Sequence, residues 1–187
     1  MDLLEYNLSW MLFNVALALV PVLITVILNQ KFSKATNIFL LLIWFLYLPN
    51  TIYLLTDIQY FPEQFIESVF FTKIALIMQY SFLMILGIVA YMISLRPFEK
   101  FVLKNKNLKS QKDFWYVGLN FIIAFAVVLG KVHRVHSWYV VTDPLRVINA
   151  VISTISSIEL LLLVFFFGIL TNLIFICARR FILRLKR

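Results

Sequence analysis

The stretch that decides the fold is WFLYLPNTIYLLTD, which runs from Trp44 to Asp57. It is strongly apolar, yet it contains a proline, an asparagine and an aspartate. In water such a stretch would be an ordinary core helix. The composition of the whole chain indicates a membrane environment instead, because 63% of the 187 residues are hydrophobic and only 14% are charged. A soluble domain has about 45–50% apolar and about 25% charged residues, so we predict an integral membrane protein.

Five apolar segments are long enough to cross a bilayer as helices, because about 20 helical residues span a hydrocarbon core of about 30 Å. The last apolar run, residues 147–178, is too long for one untilted crossing. We interpret residues 147–157 as an interfacial or re-entrant helix, with Asp143 as its N-cap and Pro144 in its first turn. The prediction is an all-α, polytopic transmembrane helix bundle in one domain, with five spans, or six if the last run crosses twice. The predicted spans are residues 8–28, 37–57, 74–95, 114–134 and 158–178.

The basic residues are distributed unevenly between the predicted loops. One side of the membrane holds 13 of the 17 Lys and Arg residues, in the first and third loops and at the C-terminus. Because Lys and Arg concentrate in cytoplasmic loops, we predict an outside N-terminus and a cytoplasmic C-terminus. A sixth crossing would move five basic residues outside, so we favour five. We interpret the basic loops as anchors that contact anionic lipids and predict no nucleic-acid binding.

Three polar residues of the second span share one helical face. Asn50, Tyr53 and Asp57 are spaced three and four apart, which aligns them along a helix. Pro49 removes a backbone hydrogen bond and predicts a kink near mid-membrane. Three roles are then open to Asn50: it bonds to the backbone carbonyl that Pro49 frees, it bridges two helices, or it binds a solute. Each role fits a polar group in a bilayer, which usually faces protein or a water-filled cavity. Asp57 lies near the outer boundary, as a solvated helix end or as part of a site.

The fourth span carries two basic residues, Lys131 and Arg134, near its predicted outer end. The positive-inside rule disfavours basic residues on that side of the membrane. If the helix continues to Trp138, this residue shares one stripe with Lys131 and Arg134. Trp138 also fits an aromatic belt at the membrane interface. Arg prefers a bidentate carboxylate or phosphate partner. Two interpretations are open: an Asp57–Arg134 ion pair that joins two helices, or a cationic pocket for an anionic ligand.

Two further motifs in the same region lack the residues that their chemistry needs. His133 and His136 are spaced three apart, but no further His and no nearby Cys completes a metal site. We therefore predict no metal and no cofactor. Ser137 lacks the glycine-rich turn that presents the nucleophile of many serine hydrolases.

Three polar residues lie within apolar segments. Glu159 lies deep in the membrane if the last helix begins at Pro144, where it would suggest a proton or cation relay. It lies at the outer rim if the leading segment is flat. Gln79 and Asn120 are predicted to form hydrogen bonds between helices.

Two short motifs, in the second span and at the end of the fourth, resemble the signatures of a known family. The matching residues are Leu48-Pro49-Asn50, Tyr53 and Thr56-Asp57, then Gly130-Lys131, Arg134 and Ser137-Trp138. They are similar to LPNAPYxxTD and GRxxRxNSWD, the signatures of a bacterial polytopic membrane family, the domain of unknown function 1361. The chain departs from them at Thr51-Ile52, Lys131, His136 and Tyr139. The resemblance implies a bacterial cytoplasmic membrane and a site near the two motifs, and it implies no activity.

The leading hypothesis is a non-enzymatic membrane subunit or binding protein with an outer-face polar pocket for an anionic small solute or lipid headgroup. One alternative is an intramembrane enzyme that acts on a lipid-linked or envelope substrate, with Asp57 or a His as general base. Another is a small transporter or transporter subunit. The expected partners are the lipid bilayer and either another membrane protein or a second copy of the chain. The candidate ligand-binding residues are Asn50, Tyr53, Asp57, Lys131, Arg134, His136, Ser137 and Trp138, with Glu159 as a candidate buried charge.

Overall fold

The computed structural model describes residues 3–185, in which helices are joined by short connections and no β-strand forms. The helices are α1 (Leu3–Ile27), α2 (Lys34–Tyr47), α3 (Pro49–Thr56), α4 (Phe61–Glu67), α5 (Phe70–Ser94), α6 (Arg96–Lys104), α7 (Lys106–Ser110), α8 (Lys112–His133), α9 (Tyr139–Thr142), α10 (Pro144–Ser156) and α11 (Ile158–Leu185). A 3₁₀ turn, Asp57–Tyr60, joins α3 to α4. Lys186 and Arg187, part of the predicted cytoplasmic charge, lie outside the described residues.

Five helical segments are long and apolar enough to cross a membrane. Each overlaps one predicted span, so the prediction of an all-α polytopic bundle with five spans is confirmed, and the chain is a membrane protein. The grouping of all spans into one domain stays a prediction. The segments are Leu3–Ile27, Lys34–Glu67, Phe70–Lys104, Lys112–His133 and Ile158–Arg184.

The segment before the last span forms a helix of its own. α10 has 13 residues, which is about 20 Å and shorter than a hydrocarbon core of about 30 Å. Ser157 has an extended backbone (φ −106°, ψ 119°) and separates α10 from α11. Asp143 accepts a hydrogen bond from the Arg146 N–H at 3.2 Å, and Pro144 lies in the first turn, as predicted for an N-cap. The length and the break both favour five spans over six.

The chain divides into two compact units, one up to Arg96 and one from Pro97 onward. In unit 1, α1 packs against α2, α3 and α5. Gly87 lets α3 and α5 approach closely, because a Cβ there would lie 3.1 Å from both the Leu54 Cβ and the Thr51 carbonyl oxygen. The buried hydrophobic cluster of this unit consists of Met11, Ala18, Leu54, Leu76, Tyr80 and Leu83.

A polar network connects α1, α4 and α5 within unit 1. The buried Asn7 amide donates to the Gln64 Oε1 at 2.7 Å and accepts from the Gln64 Nε2 at 3.0 Å. The Tyr80 hydroxyl donates to the same Gln64 oxygen at 3.0 Å. The Trp10 Nε1 donates to the Asn7 Oδ1 at 3.2 Å. These reciprocal bonds offset the cost of burying two amides and fix how the three helices align.

Unit 2 is built on α8 and α11, which pack in opposite directions. Tyr116 stacks on Phe175 with 4.6 Å between ring centroids, and Phe121 stacks on Phe165 at 6.0 Å. Near the start of α8, the Asp113 carboxylate lies 3.5 Å from the Arg179 guanidinium, which belongs to the last turns of α11. The N-terminal end of α8 and the C-terminal end of α11 therefore lie at the same end of unit 2.

The predicted roles of Gln79 and Asn120 are confirmed. The Gln79 Nε2 of α5 donates to the Leu4 carbonyl of α1 at 3.2 Å. The buried Asn120 of α8 donates to the Asn172 Oδ1 of α11 at 2.9 Å. Each amide therefore links two helices of its own unit through a hydrogen bond.

Candidate functional site

The second span breaks where Pro49 predicts it. α2 ends at Tyr47 and α3 begins at Pro49, and the carbonyls at this break receive side-chain donors. The Asn50 Nδ2 donates to the Tyr47 carbonyl at 3.0 Å, and the Thr51 hydroxyl donates to the Leu48 carbonyl at 2.8 Å. Of the three roles predicted for Asn50, the structure shows the hydrogen bond to a backbone carbonyl. Such a bond is expected beside a proline, because proline leaves nearby carbonyls without their helical N–H donors.

Asp57 is buried in unit 1. It opens the 3₁₀ turn after α3 and is 1% exposed. The Asn14 Nδ2 of α1 donates to the Asp57 Oδ2 at 2.9 Å. The interpretation of Asp57 as a solvated helix end is therefore wrong, because the turn directs its carboxylate toward α1. Tyr53 lies one turn earlier and is half-buried.

α8 ends close to the predicted end of the fourth span and does not continue to Trp138. α8 ends at His133, and Arg134 adopts a left-handed conformation (φ 54°, ψ 38°). The Val135 N–H then returns to the Leu129 carbonyl at 3.3 Å, which closes the helix end. The condition for one helical stripe that includes Trp138 is not met, because the chain leaves the helix at Arg134. Arg134 is exposed, while Lys131, one turn before the helix end, is half-buried.

The connection after α8 folds into a cluster of aromatic rings. His136 and Trp138 stack with 4.4 Å between centroids and 6° between planes, and Tyr139 meets His136 edge-on at 5.3 Å. The Arg146 guanidinium of α10 lies 4.6 Å from the Tyr139 ring centroid, in a cation–π contact. Ser137 lies within this connection and is half-buried. The cluster attaches the connection to the first turn of α10.

An open recess of about 540 Å³ lies beside this cluster in unit 2. The Nε2 atom of His133, a lining residue, lies 3.1 Å from the Thr154 Oγ1, and this contact connects the end of α8 to α10. Most of its lining comes from one side of α10 and is polar. The lining residues are His133, Asp143, Leu145, Arg146, Asn149, Ala150 and Ser153.

The position of Arg146 determines the electrostatics of the recess. Its guanidinium donates to the Arg134 carbonyl at 3.3 Å. Among residues 3–185, no carboxylate forms an ion pair with this guanidinium. Burial, followed by the neighbouring Arg146 and Arg134 charges, lowers the pKa of His136 below its ordinary value of 6.5. Cationic charge therefore dominates this part of unit 2, with Asp143 as the opposing charge at the N-cap.

Sequence reasoning missed three of the polar lining residues, Arg146, Asn149 and Ser153. Their spacing of three and four places them on one side of a helix, and this periodicity was the available signal.

The remaining candidate residues, Asn50, Tyr53, Asp57, Lys131, Arg134, His136, Ser137, Trp138 and Glu159, are not among the residues that line the recess. Glu159 is exposed in the first turn of α11. The single helix from Pro144 that would carry it deep into the membrane does not form, because Ser157 interrupts it. The two histidines have different partners, Thr154 for His133 and Trp138 for His136. Asn50, Tyr53 and Asp57 belong to unit 1.

Comparison with known proteins identifies the family. The chain belongs to the family described as protein of unknown function, DUF1361, which matches residues 13–174. The match includes both motifs and the whole recess lining. No curated protein and no solved structure matches the chain.

Proposed function

We propose that this membrane protein is a binding protein whose recess in unit 2 holds an anionic, oxygen-rich group such as a phosphate. The observation that supports the proposal is the Arg146 guanidinium, which lines the recess and is oriented by a carbonyl and an aromatic ring. A guanidinium held in this way keeps donors available for a planar or tetrahedral anion.

The neighbouring groups fit the same ligand class. The Asn149 amide and the Ser153 hydroxyl line the recess and supply neutral donors beside Arg146. Arg134, the first residue of the connection after α8, adds positive charge to this end of the unit. The Asp143 carboxylate also lines the recess, but its Oδ1 accepts the Arg146 N–H. One negative charge beside the site favours a ligand with a single anionic group over a polyanion.

Removing the Arg146 charge tests the proposal directly. The purified full chain in dodecyl maltoside micelles is titrated with two probes, sodium phosphate and phosphatidic acid, by calorimetry. Arg146→Gln is expected to weaken the binding of both by about tenfold or more, because a charge-assisted hydrogen bond contributes about 1.5–3 kcal/mol.

Arg180→Gln is the matched control, since it removes the same charge from the same unit. Arg180 lies 22 residues beyond Ile158 on α11, about 33 Å along the helix. Wild-type affinity is expected for this variant. The proposal is contradicted if neither probe binds the wild-type chain, or if both variants lose the same affinity.

A further inference from the structure

α10 presents two chemically different sides. Arg146, Asn149 and Ser153 occupy the side that lines the recess. A second side carries an apolar stripe, defined by four residues spaced three and four apart that are between 52% and 70% exposed. The stripe consists of Leu145, Ile148, Ile152 and Ile155. Ala150, at the edge of the recess lining, and Thr154 beyond it are buried.

The apolar stripe and the recess meet at Leu145, which belongs to both. A ligand whose anionic group lies against Arg146 would have its adjoining atoms at Leu145. From Leu145, an apolar part of the ligand would lie along α10 against Ile148 and Ile152, where the exposed side chains are apolar. An anion attached to a long apolar chain fits this continuous surface better than a free anion does.

The position of α10 in the chain indicates what covers the stripe. α8 ends at His133 and α11 begins at Ile158, so α10 lies between the ends of two membrane-spanning helices. Ile158 and Leu162 of α11 are 70% and 61% exposed, which continues the apolar surface into a span. An amphipathic helix in such a place buries its apolar side at the boundary between headgroups and acyl chains.

We infer that the recess takes its anion from the bilayer itself: a phospholipid places its phosphate against Arg146 and its acyl chain along the stripe of Leu145, Ile148, Ile152 and Ile155. The inference rests on the proposed anion binding and adds the identity of the ligand class. The stripe then contributes to affinity through the acyl chain, while the recess recognises the phosphate.

The test separates the stripe from the recess. Ile148→Ala combined with Ile152→Ala shortens two stripe side chains and introduces alanine, which favours the helix. The control combines Ile38→Ala with Leu42→Ala on α2, where the same spacing and closely similar exposures occur: 51% and 58%, against 52% and 57% for Ile148 and Ile152. The probes are again sodium phosphate and phosphatidic acid, with the full chain in dodecyl maltoside micelles.

The wild-type chain is expected to bind phosphatidic acid at least about tenfold more tightly than phosphate. The stripe variant is expected to lose about tenfold in affinity for phosphatidic acid, because fewer methylene groups are buried, and to bind phosphate as the wild type does. The control pair is expected to leave both affinities unchanged. Ile155→Ala, at a stripe residue outside the recess lining, is a second variant with the same expected result, should the double substitution prevent folding.

Three results would overturn the inference. Equal wild-type affinity for the two probes, with the stripe variant unaffected, means that the recess takes a free anion, and the proposed function stands. A stripe variant that turns a dimer into a monomer by native mass spectrometry, with lipid binding unchanged, assigns the stripe to a second copy of the chain. Binding of neither probe by the wild type contradicts the proposed function as well.

Discussion

Arg146 makes three contacts at the start of α10. Its guanidinium donates to the Arg134 carbonyl and lies over the Tyr139 ring, and its backbone N–H binds the Asp143 carboxylate. Arg134 is the single non-glycine residue with positive φ among residues 3–185. Left-handed backbone costs an arginine free energy that a glycine would not lose. The bond from Arg146 therefore stabilises a strained residue, and strain of this kind often accompanies functional sites.

His136 provides a pH-dependent prediction at the residue scale. Because the folded state lowers the pKa of His136, the unfolded chain binds this proton more readily. Stability from this group is fully present above the ordinary value of 6.5 and is lost as pH falls toward the folded pKa. Between about pH 7.5 and about pH 5.5, the wild type should therefore lose more thermal stability than His136→Gln does.

Melting temperatures of the two proteins in dodecyl maltoside, measured at both pH values, check this prediction. The carboxylates are common to both proteins, so the difference between the two pH slopes isolates His136. Parallel slopes, or a steeper loss in His136→Gln, would contradict the lowered pKa.

At the scale of helices, the close contact between α8 and α11 depends on Gly168. A Cβ at Gly168 would collide with the Phe121 ring, which stacks on Phe165 nearby. One turn later, Asn172 donates to the Gly168 carbonyl at 2.8 Å and accepts from Asn120. The close approach and the amide bond therefore occur at the same place along the two helices, as small residues and polar groups commonly do between membrane helices.

Gly168→Ala should destabilise unit 2, because Phe121 has to move to admit the methyl group. Overpacking of this kind costs about 1–3 kcal/mol. Gly118→Ala is the matched control: no atom lies within 4 Å of its added Cβ, and alanine raises helix propensity by up to about 1 kcal/mol. Unfolding in a denaturing detergent series measures both. Equal stability of the two variants would show that the α8–α11 contact tolerates a wider separation.

At the scale of the whole molecule, the predicted topology assigns each connection between spans to one side of the membrane, and this assignment can be tested. The contact between Asp113 and Arg179 puts the start of α8 and the last turns of α11 at one end of unit 2. This agrees with the predicted topology, in which both ends lie on the side of the basic loops. The connection that carries the recess is predicted on the opposite, outer side, by the positive-inside rule.

Cysteine labelling measures this orientation. Cys177 is the one cysteine of the chain and is replaced by serine first. Val141→Cys, at a residue that is 80% exposed before α10, should react with a membrane-impermeant maleimide in intact spheroplasts. Lys106→Cys, in the basic connection, should react only after permeabilisation. The reverse pattern would invert the topology and place the recess on the cytoplasmic side.

The amino-acid sequence by itself determined the local features of this protein. The number and approximate location of the membrane helices follow from the length of each apolar run. The break at Pro49 and the Asp143 cap follow from the chemistry of one or two residues. The need of Gln79 and Asn120 for partners on other helices follows from the cost of an unsatisfied amide in an apolar surrounding. Each of these properties depends on residues adjacent in the chain.

Only the tertiary structure decided which distant residues meet. It paired Asn14 with Asp57, and it ended α8 at His133 through a left-handed Arg134 whose carbonyl binds Arg146, 12 residues later. It also directed one side of α10 into a recess and left another side as an apolar stripe. Packing between helices selects these contacts from many alternatives of similar local preference, so adjacent residues alone do not reveal them.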